Sequence, residues 1–171
     1  MSELNKLREV TIQLVSLAIE LKKTIVTVES CTGGLVASAI TDQPGSSQCF
    51  SHGMVTYSDK AKSKLLGIDS HLIRDKGAVS RVIAESMARN ALGDNNADFS
   101  LAITGIAGPT GGSIEKPIGT VWIAWGYYID SNITVDTKDY CFKGDRNSIR
   151  IQSAIEALIE LEKRMKKLHS V

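Results

Sequence analysis

The segment Glu29-Ser30-Cys31-Thr32-Gly33-Gly34 joins a β-branched run, Thr24-Ile25-Val26-Thr27-Val28, to an apolar-periodic stretch beginning at Leu35. A serine at such a strand-to-helix turn presents its hydroxyl to the positive end of a helix, where backbone N–H groups lack partners. Those N–H groups can hold a phosphate or stabilise a developing oxyanion. Ser30 is therefore a candidate nucleophile, with Cys31, Thr32, Gly33 and Gly34 as candidate substrate contacts. The plain alternative is an N-cap serine that only satisfies backbone donors.

Cys31 is the rival nucleophile, since a helix N-terminus also favours a thiolate. His52, His71 and His169 show no recognisable arrangement with it, and a small buried apolar residue explains it as well. A serine hydroxyl needs a base. With no histidine in place, the candidates are Lys60, Lys62 and Lys64, just after Tyr57. A lysine base must be neutral, which requires burial or a cationic neighbour. On a short helix Lys60 and Lys64 share one face and Lys62 points elsewhere; spacing alone does not select among them.

A second dense feature is Thr104-Gly105-Ile106-Ala107-Gly108-Pro109-Thr110-Gly111-Gly112-Ser113. So many glycines allow backbone N–H groups to approach an anion closely. The run lacks the Gly-Lys-Ser/Thr ending of a P-loop and the spacing of a dinucleotide fingerprint. A flexible surface loop would have the same composition. Arg146, after Gly144-Asp145, offers a further phosphate contact or an ion pair with Asp145.

The elements around these residues follow from periodicity. An amphipathic helix is predicted near 4–22, a strand over 24–29, a helix starting near Cys31 and a strand from Phe50 to Tyr57. Ser58 caps a short helix that Gly67 stops, and a helical turn and loop cover 69–79. Ser80 opens a helix to about Leu92, and Phe99 to Ile103 is a strand followed by loop to Pro117. Ile118 to Tyr127 reads as a central strand, Ile133 to Phe142 as its antiparallel return, and a long helix with an apolar stripe closes the chain. The result is a three-layer α/β/α architecture on a mixed, mostly parallel sheet. Three polar loops then fall at the C-terminal ends of strands, the edge where open α/β sheets collect ligands.

The chain of 171 residues is most simply one domain spanning 1–171. Its 20 Lys+Arg against 19 Asp+Glu, with five per cent aromatics, argue against a nucleic-acid binder. Three cysteines without metal-ligand spacing suggest neither a disulfide framework nor a zinc site. The absence of an export signal or a membrane-length apolar run leads us to expect a cytoplasmic protein without membrane contact. Its apolar terminal helices leave room for a homo-oligomer.

Together these segments closely resemble the CinA C-terminal domain family, the nicotinamide-nucleotide amidases of bacteria. The resemblance runs through Glu29–Gly34, Pro44–Ser47, Val55–Ser58 with Ala61-Lys62, Gly77–Ser80, Thr104–Pro109, Glu115–Pro117, Gly119–Trp122 and Gly144–Arg146. It implies a stand-alone amidase domain without the N-terminal molybdopterin-binding-like domain of longer members, and an anticodon-binding-domain-like fold. It also implies hydrolysis of the carboxamide of nicotinamide mononucleotide, in pyridine nucleotide recycling, by a serine and a lysine with no metal or other cofactor. Carried onto this chain, Ser30 is the nucleophile, Lys62 the general base and Tyr57 an aid to proton transfer or orientation. Thr104, Gly105, Gly108 and Arg146 are the candidate ribose-phosphate contacts. Small departures are Val28, Asp59 and Thr104, where members commonly carry alanine, asparagine or serine. A non-catalytic nucleotide-binding domain of the same family is the alternative reading.

Overall fold

The structure, a computed structural model, describes residues 2–93 and 97–169. In chain order the elements are α1 (Glu3–Glu20), β1 (Ile25–Glu29), α2 (Leu35–Thr41), a 3-10 turn at Ser46–Gln48, β2 (Phe50–Val55), α3 (Asp59–Leu66) and α4 (Ser70–Lys76). They continue as α5 (Arg81–Gly93), β3 (Phe99–Gly105), β4 (Thr120–Ile129), β5 (Asn132–Cys141) and α6 (Arg146–His169). The strands form one sheet in the order β2-β1-β3-β4-β5. β1 lies parallel to β2 and β3, while β4 is antiparallel to both β3 and β5, so four strands share a direction.

Side chains alternate across this sheet as the pleat requires. Ile25, Phe99, Leu101, Ile103, Val121, Ile123 and Trp125 face α1, α2 and α6. Val26, Val28, Ala102 and Ala124 face α3, α4 and α5. On this second face small residues let α5 sit close: the Ser100 hydroxyl donates to the Ala88 carbonyl at 2.7 Å. Gly126 packs opposite Ser100, Ala88 and Leu92, with no room for a side chain. Trp125, fully buried on the first face, donates its indole N–H to the Ala157 carbonyl of α6 and carries the Arg164 guanidinium 4.1 Å from its ring.

The basic end of α6 is likewise committed. Arg164 pairs with Asp136 and Glu160, Lys163 with Glu160 and Lys166 with Glu162. No helix among the described residues is long and apolar enough to cross a membrane.

Several boundaries differ from the sequence expectation, each for a local reason. Residues 31–34 form a turn, and α2 begins only at Leu35, because Gly33 and Gly34 adopt φ of 62° and 93°. α4 is a true helix, capped by the Asp69 side chain accepting from the His71 N–H at 2.8 Å. β3 runs on through Thr104 and Gly105, and β4 starts after Gly119, whose φ is 95°. The β4–β5 hairpin closes on Asp130 and Ser131, both in the left-handed region that a two-residue turn demands.

Candidate active site

Parallel register places the three polar loops side by side. Glu29 is opposite Val55 on β2 and Ile103 on β3. The next residues, Ser30, Thr56 and Thr104, therefore share the C-terminal edge of the sheet. Two ladder bonds extend past the strands and hold them there: Ser30 N–H donates to Ile103 O at 2.9 Å, and Thr56 N–H to Glu29 O at 2.9 Å.

α3 delivers the lysine. Ser58 caps it by accepting from the Ala61 N–H, and Gly67 ends it at φ 65°. Lys62 and Leu66, one turn apart, are its inward residues, whereas Lys60 and Lys64 are exposed. Lys62 is only 1% exposed, an extreme value for a lysine. Its Nζ donates to Thr56 O at 2.9 Å and to Ser30 Oγ at 3.2 Å. Among the described residues it has no carboxylate ion-pair partner. Burial pushes its pKa below the usual lysine range, opposed in part by the Asp59 charge. Ser30 itself is 8% exposed. The arrangement is a serine hydroxyl against an amine whose neutral form the surroundings favour, which is what base-assisted nucleophilic attack requires.

Cys31 meets different physics. Burial, reinforced by the Glu29 charge, pushes its thiol up to about 12 against the weaker pull of Arg146 and Arg150. A thiol so placed stays protonated at neutral pH and is a poor nucleophile.

The remaining candidates surround this pair. Arg146, at the first turn of α6, donates from Nη1 to Gly108 O at 2.6 Å and from Nη2 to the Tyr57 hydroxyl at 3.0 Å. It thus ties the glycine-rich loop to the β2–α3 connection. Tyr57 is 60% exposed, and its hydroxyl reaches Arg146 rather than Ser30 or Lys62. Gly108 holds φ 76° and presents its carbonyl, not its N–H, to the guanidinium. Thr104 is buried and donates to Ala78 O at 2.9 Å. Gly105 sits in β3 where a Cβ would press on Val121 and the Thr120 carbonyl, so close strand approach accounts for that glycine.

Three further residues bear on the site beyond the candidate nucleophile, base and substrate contacts. Glu29, 1% exposed, accepts from the N–H groups of Gly34 (3.1 Å), Val36 (3.1 Å) and Ala37 (2.9 Å). Arg150, one turn after Arg146 on α6, donates to Thr32 O at 2.7 Å. Thr56 supplies the carbonyl for Lys62. The i, i+4 spacing of Arg146 and Arg150 was a readable signal, and so was an acidic residue closing a strand before a turn; nothing local marks Thr56.

Comparison with known proteins bears on the family and the fold. A "CinA-like protein" of Chlorobaculum tepidum is 45% identical over 163 residues, covering 94% of this chain and 38% of its own. The "Nicotinamide-nucleotide amidohydrolase PncC" of Escherichia coli K12 is 47% identical over 135 residues, 79% of this chain and 80% of that protein. The chain spans about a third of the length of the CinA-like relatives it matches. Among solved structures, a CinA superfamily protein of Klebsiella pneumoniae superposes with a TM-score of 0.87 at 32% identity, covering 94% of this chain and 98% of that one. A competence/damage-inducible protein of Agrobacterium tumefaciens gives 0.86 at 37% identity, over 94% and 96%. The family model described as "CinA C-terminal domain" matches residues 7–165, and the chain belongs to that family.

Proposed function

We propose that the protein is an amidohydrolase that cleaves the carboxamide of nicotinamide mononucleotide to nicotinate mononucleotide and ammonia, through an acyl-enzyme on Ser30. The observation that carries this reading is the fully buried Lys62 amine 3.2 Å from the Ser30 hydroxyl. The name of the 47%-identical amidohydrolase supports the substrate class.

In this mechanism neutral Lys62 takes the Ser30 proton while Oγ bonds to the carboxamide carbon. The tetrahedral oxyanion lies against the turn 31–34. Gly33 N–H is committed to Ser30 O, and the Gly34, Val36 and Ala37 N–H groups to Glu29. That leaves the Cys31 and Thr32 amides, which donate to no other residue among those described. Each donor aimed at an oxyanion is worth about 3 kcal/mol. Lys62 returns its proton to the departing nitrogen as the C–N bond breaks. Water, deprotonated by the same amine, then releases the carboxylate and restores Ser30. Arg146 supplies positive charge at the mouth for the phosphate, and Tyr57 holds that guanidinium in place.

The pH dependence tests the base directly. Burial lowers the Lys62 pKa, so the neutral fraction grows, and kcat/KM for ammonia release rises, as pH increases through that depressed value. A rate independent of pH from neutral to alkaline would contradict a lysine base.

A further inference from the structure

Glu29 is a buried carboxylate whose three acceptor contacts are all backbone N–H groups of the turn and first residues of α2. No Lys, Arg or His pairs with it among the described residues. Its negative charge is met instead by oriented peptide dipoles, an arrangement in which charge and dipoles fix each other. Arg150 of α6, half-buried, makes one side-chain hydrogen bond among the described residues, to Thr32 O. The same guanidinium passes close above Gly33, 3.7 Å from where a Cβ would stand. Arg150 too has no carboxylate partner among the described residues. The turn Cys31–Gly34 therefore has an anion gripping the amides after it and a cation gripping a carbonyl inside it.

A peptide plane is rigid, so its C=O and N–H directions are set together. Thr32 O shares its plane with the Gly33 N–H, which donates to Ser30 O, so holding that carbonyl toward Arg150 fixes the closure of the turn that carries the Cys31 and Thr32 amides. Anchoring Gly34, Val36 and Ala37 to Glu29 fixes where the turn ends. Gly33 and Gly34, both at positive φ, leave the turn without the side-chain packing that would otherwise hold it.

We infer that Glu29 and Arg150 are positioning residues, a two-sided clamp that aims the Cys31 and Thr32 amides at the oxyanion formed on Ser30. This rests on the amidase reading above. Neither side chain touches the reacting atoms; both act through the turn. Donors that matter only when the oxyanion forms affect kcat and leave ground-state binding alone.

The test compares Glu29→Gln and Arg150→Lys with wild type for ammonia release, and for hydrogen exchange at the Cys31 to Gly34 amides. Arg150→Lys keeps a cation on a half-exposed helix side chain and retains the fold even if Glu29→Gln does not. The clamp predicts a fall in kcat on the order of 10²-fold for Glu29→Gln, as for a small misplacement of catalytic groups, with KM near wild type. Arg150→Lys falls in the same direction by about tenfold, the lower end of that effect. Both speed exchange at the Gly33 and Gly34 amides, the two of the four that are hydrogen-bonded, while the β3 and β4 amides stay protected. Wild-type kcat and unchanged exchange in Arg150→Lys would overturn the clamp, as would kcat and KM moving together with a uniform loss of protection. A wild-type protein that releases no ammonia overturns the amidase reading instead, and the catalytic role of the clamp with it.

Discussion

Lys62→Met is expected to lower ammonia release on the order of 10³-fold, the contribution of a well-placed general base, while leaving the fold intact. Two terms decide the stability side. The substitution strips a donor from Thr56 O and Ser30 Oγ, costing about 1–3 kcal/mol for each acceptor left unsatisfied. It also removes a polar amine from a site that is 99% sealed, where an unpaired charge is penalised by several kcal/mol. Methionine has the length and flexibility to fill the space the lysine side chain leaves. The terms offset, so the thermal midpoint should stay within a few degrees of wild type, measured by differential scanning calorimetry beside the activity assay.

The sign of the pH effect follows. With its pKa depressed by burial, folded Lys62 binds fewer protons than the unfolded chain between the folded value and the ordinary 10.5. Stability from this group rises with pH across that window and is lost as pH falls through the folded pKa. Lys62→Met should flatten that part of the stability profile. A midpoint drop of tens of degrees would show instead that the amine is structural.

Gly119→Ala should be the most destabilising change of a single methyl group. Gly119 has φ 95°, and an added Cβ would lie inside contact with the Phe142 carbonyl oxygen. Its backbone is committed on both sides, N–H to Ile106 O at 2.8 Å and O from Phe142 N–H at 3.0 Å. Left-handed geometry costs about 1–2 kcal/mol for a residue with a Cβ. Overpacking against rigid backbone adds about 1–3 kcal/mol. The sum, near 4 kcal/mol, lowers the thermal midpoint by roughly 10 °C for a domain of this size. Because Ile106 leads into the Gly108 carbonyl that Arg146 holds, activity should fall well below the unfolding temperature. Unchanged melting would mean the Gly119–Phe142 approach is looser than the structure has it.

What the sequence disclosed depends on how local each cause is. Ser58, Gly67 and the apolar residues between them placed α3 almost to the residue, since capping and left-handed termination are decided within a turn. The alternation of strand and helix sufficed for the three layers and for the clustering of loops at one sheet edge. The turn at 31–34 was misplaced because two adjacent glycines at positive φ delay a helix that their neighbours favour. α4 reads from sequence as only a helical turn within 69–79 because its seven residues carry too little periodicity, and only Asp69 marks its start.

The site was legible in part for the same reason. Ser30 stands out from its strand-turn-helix context. Residue spacing leaves Lys60, Lys62 and Lys64 open; resemblance points to Lys62, and only packing of α3 against α4 and α5 explains why that amine is the buried one. Tyr57 and Arg146 were read as separate contacts, yet their mutual hydrogen bond spans 89 residues of chain. Glu29 lies inside the opening motif and Arg150 one turn after Arg146, yet side-chain types do not give either a role, because their partners are backbone atoms.

Ser30 is put to the test by ammonia release from nicotinamide mononucleotide, measured for the wild-type protein and for Ser30→Ala side by side. With Ser30 as the nucleophile, the wild type turns over and Ser30→Ala, still folded, does not. Turnover that survives the loss of the Ser30 hydroxyl would contradict that role.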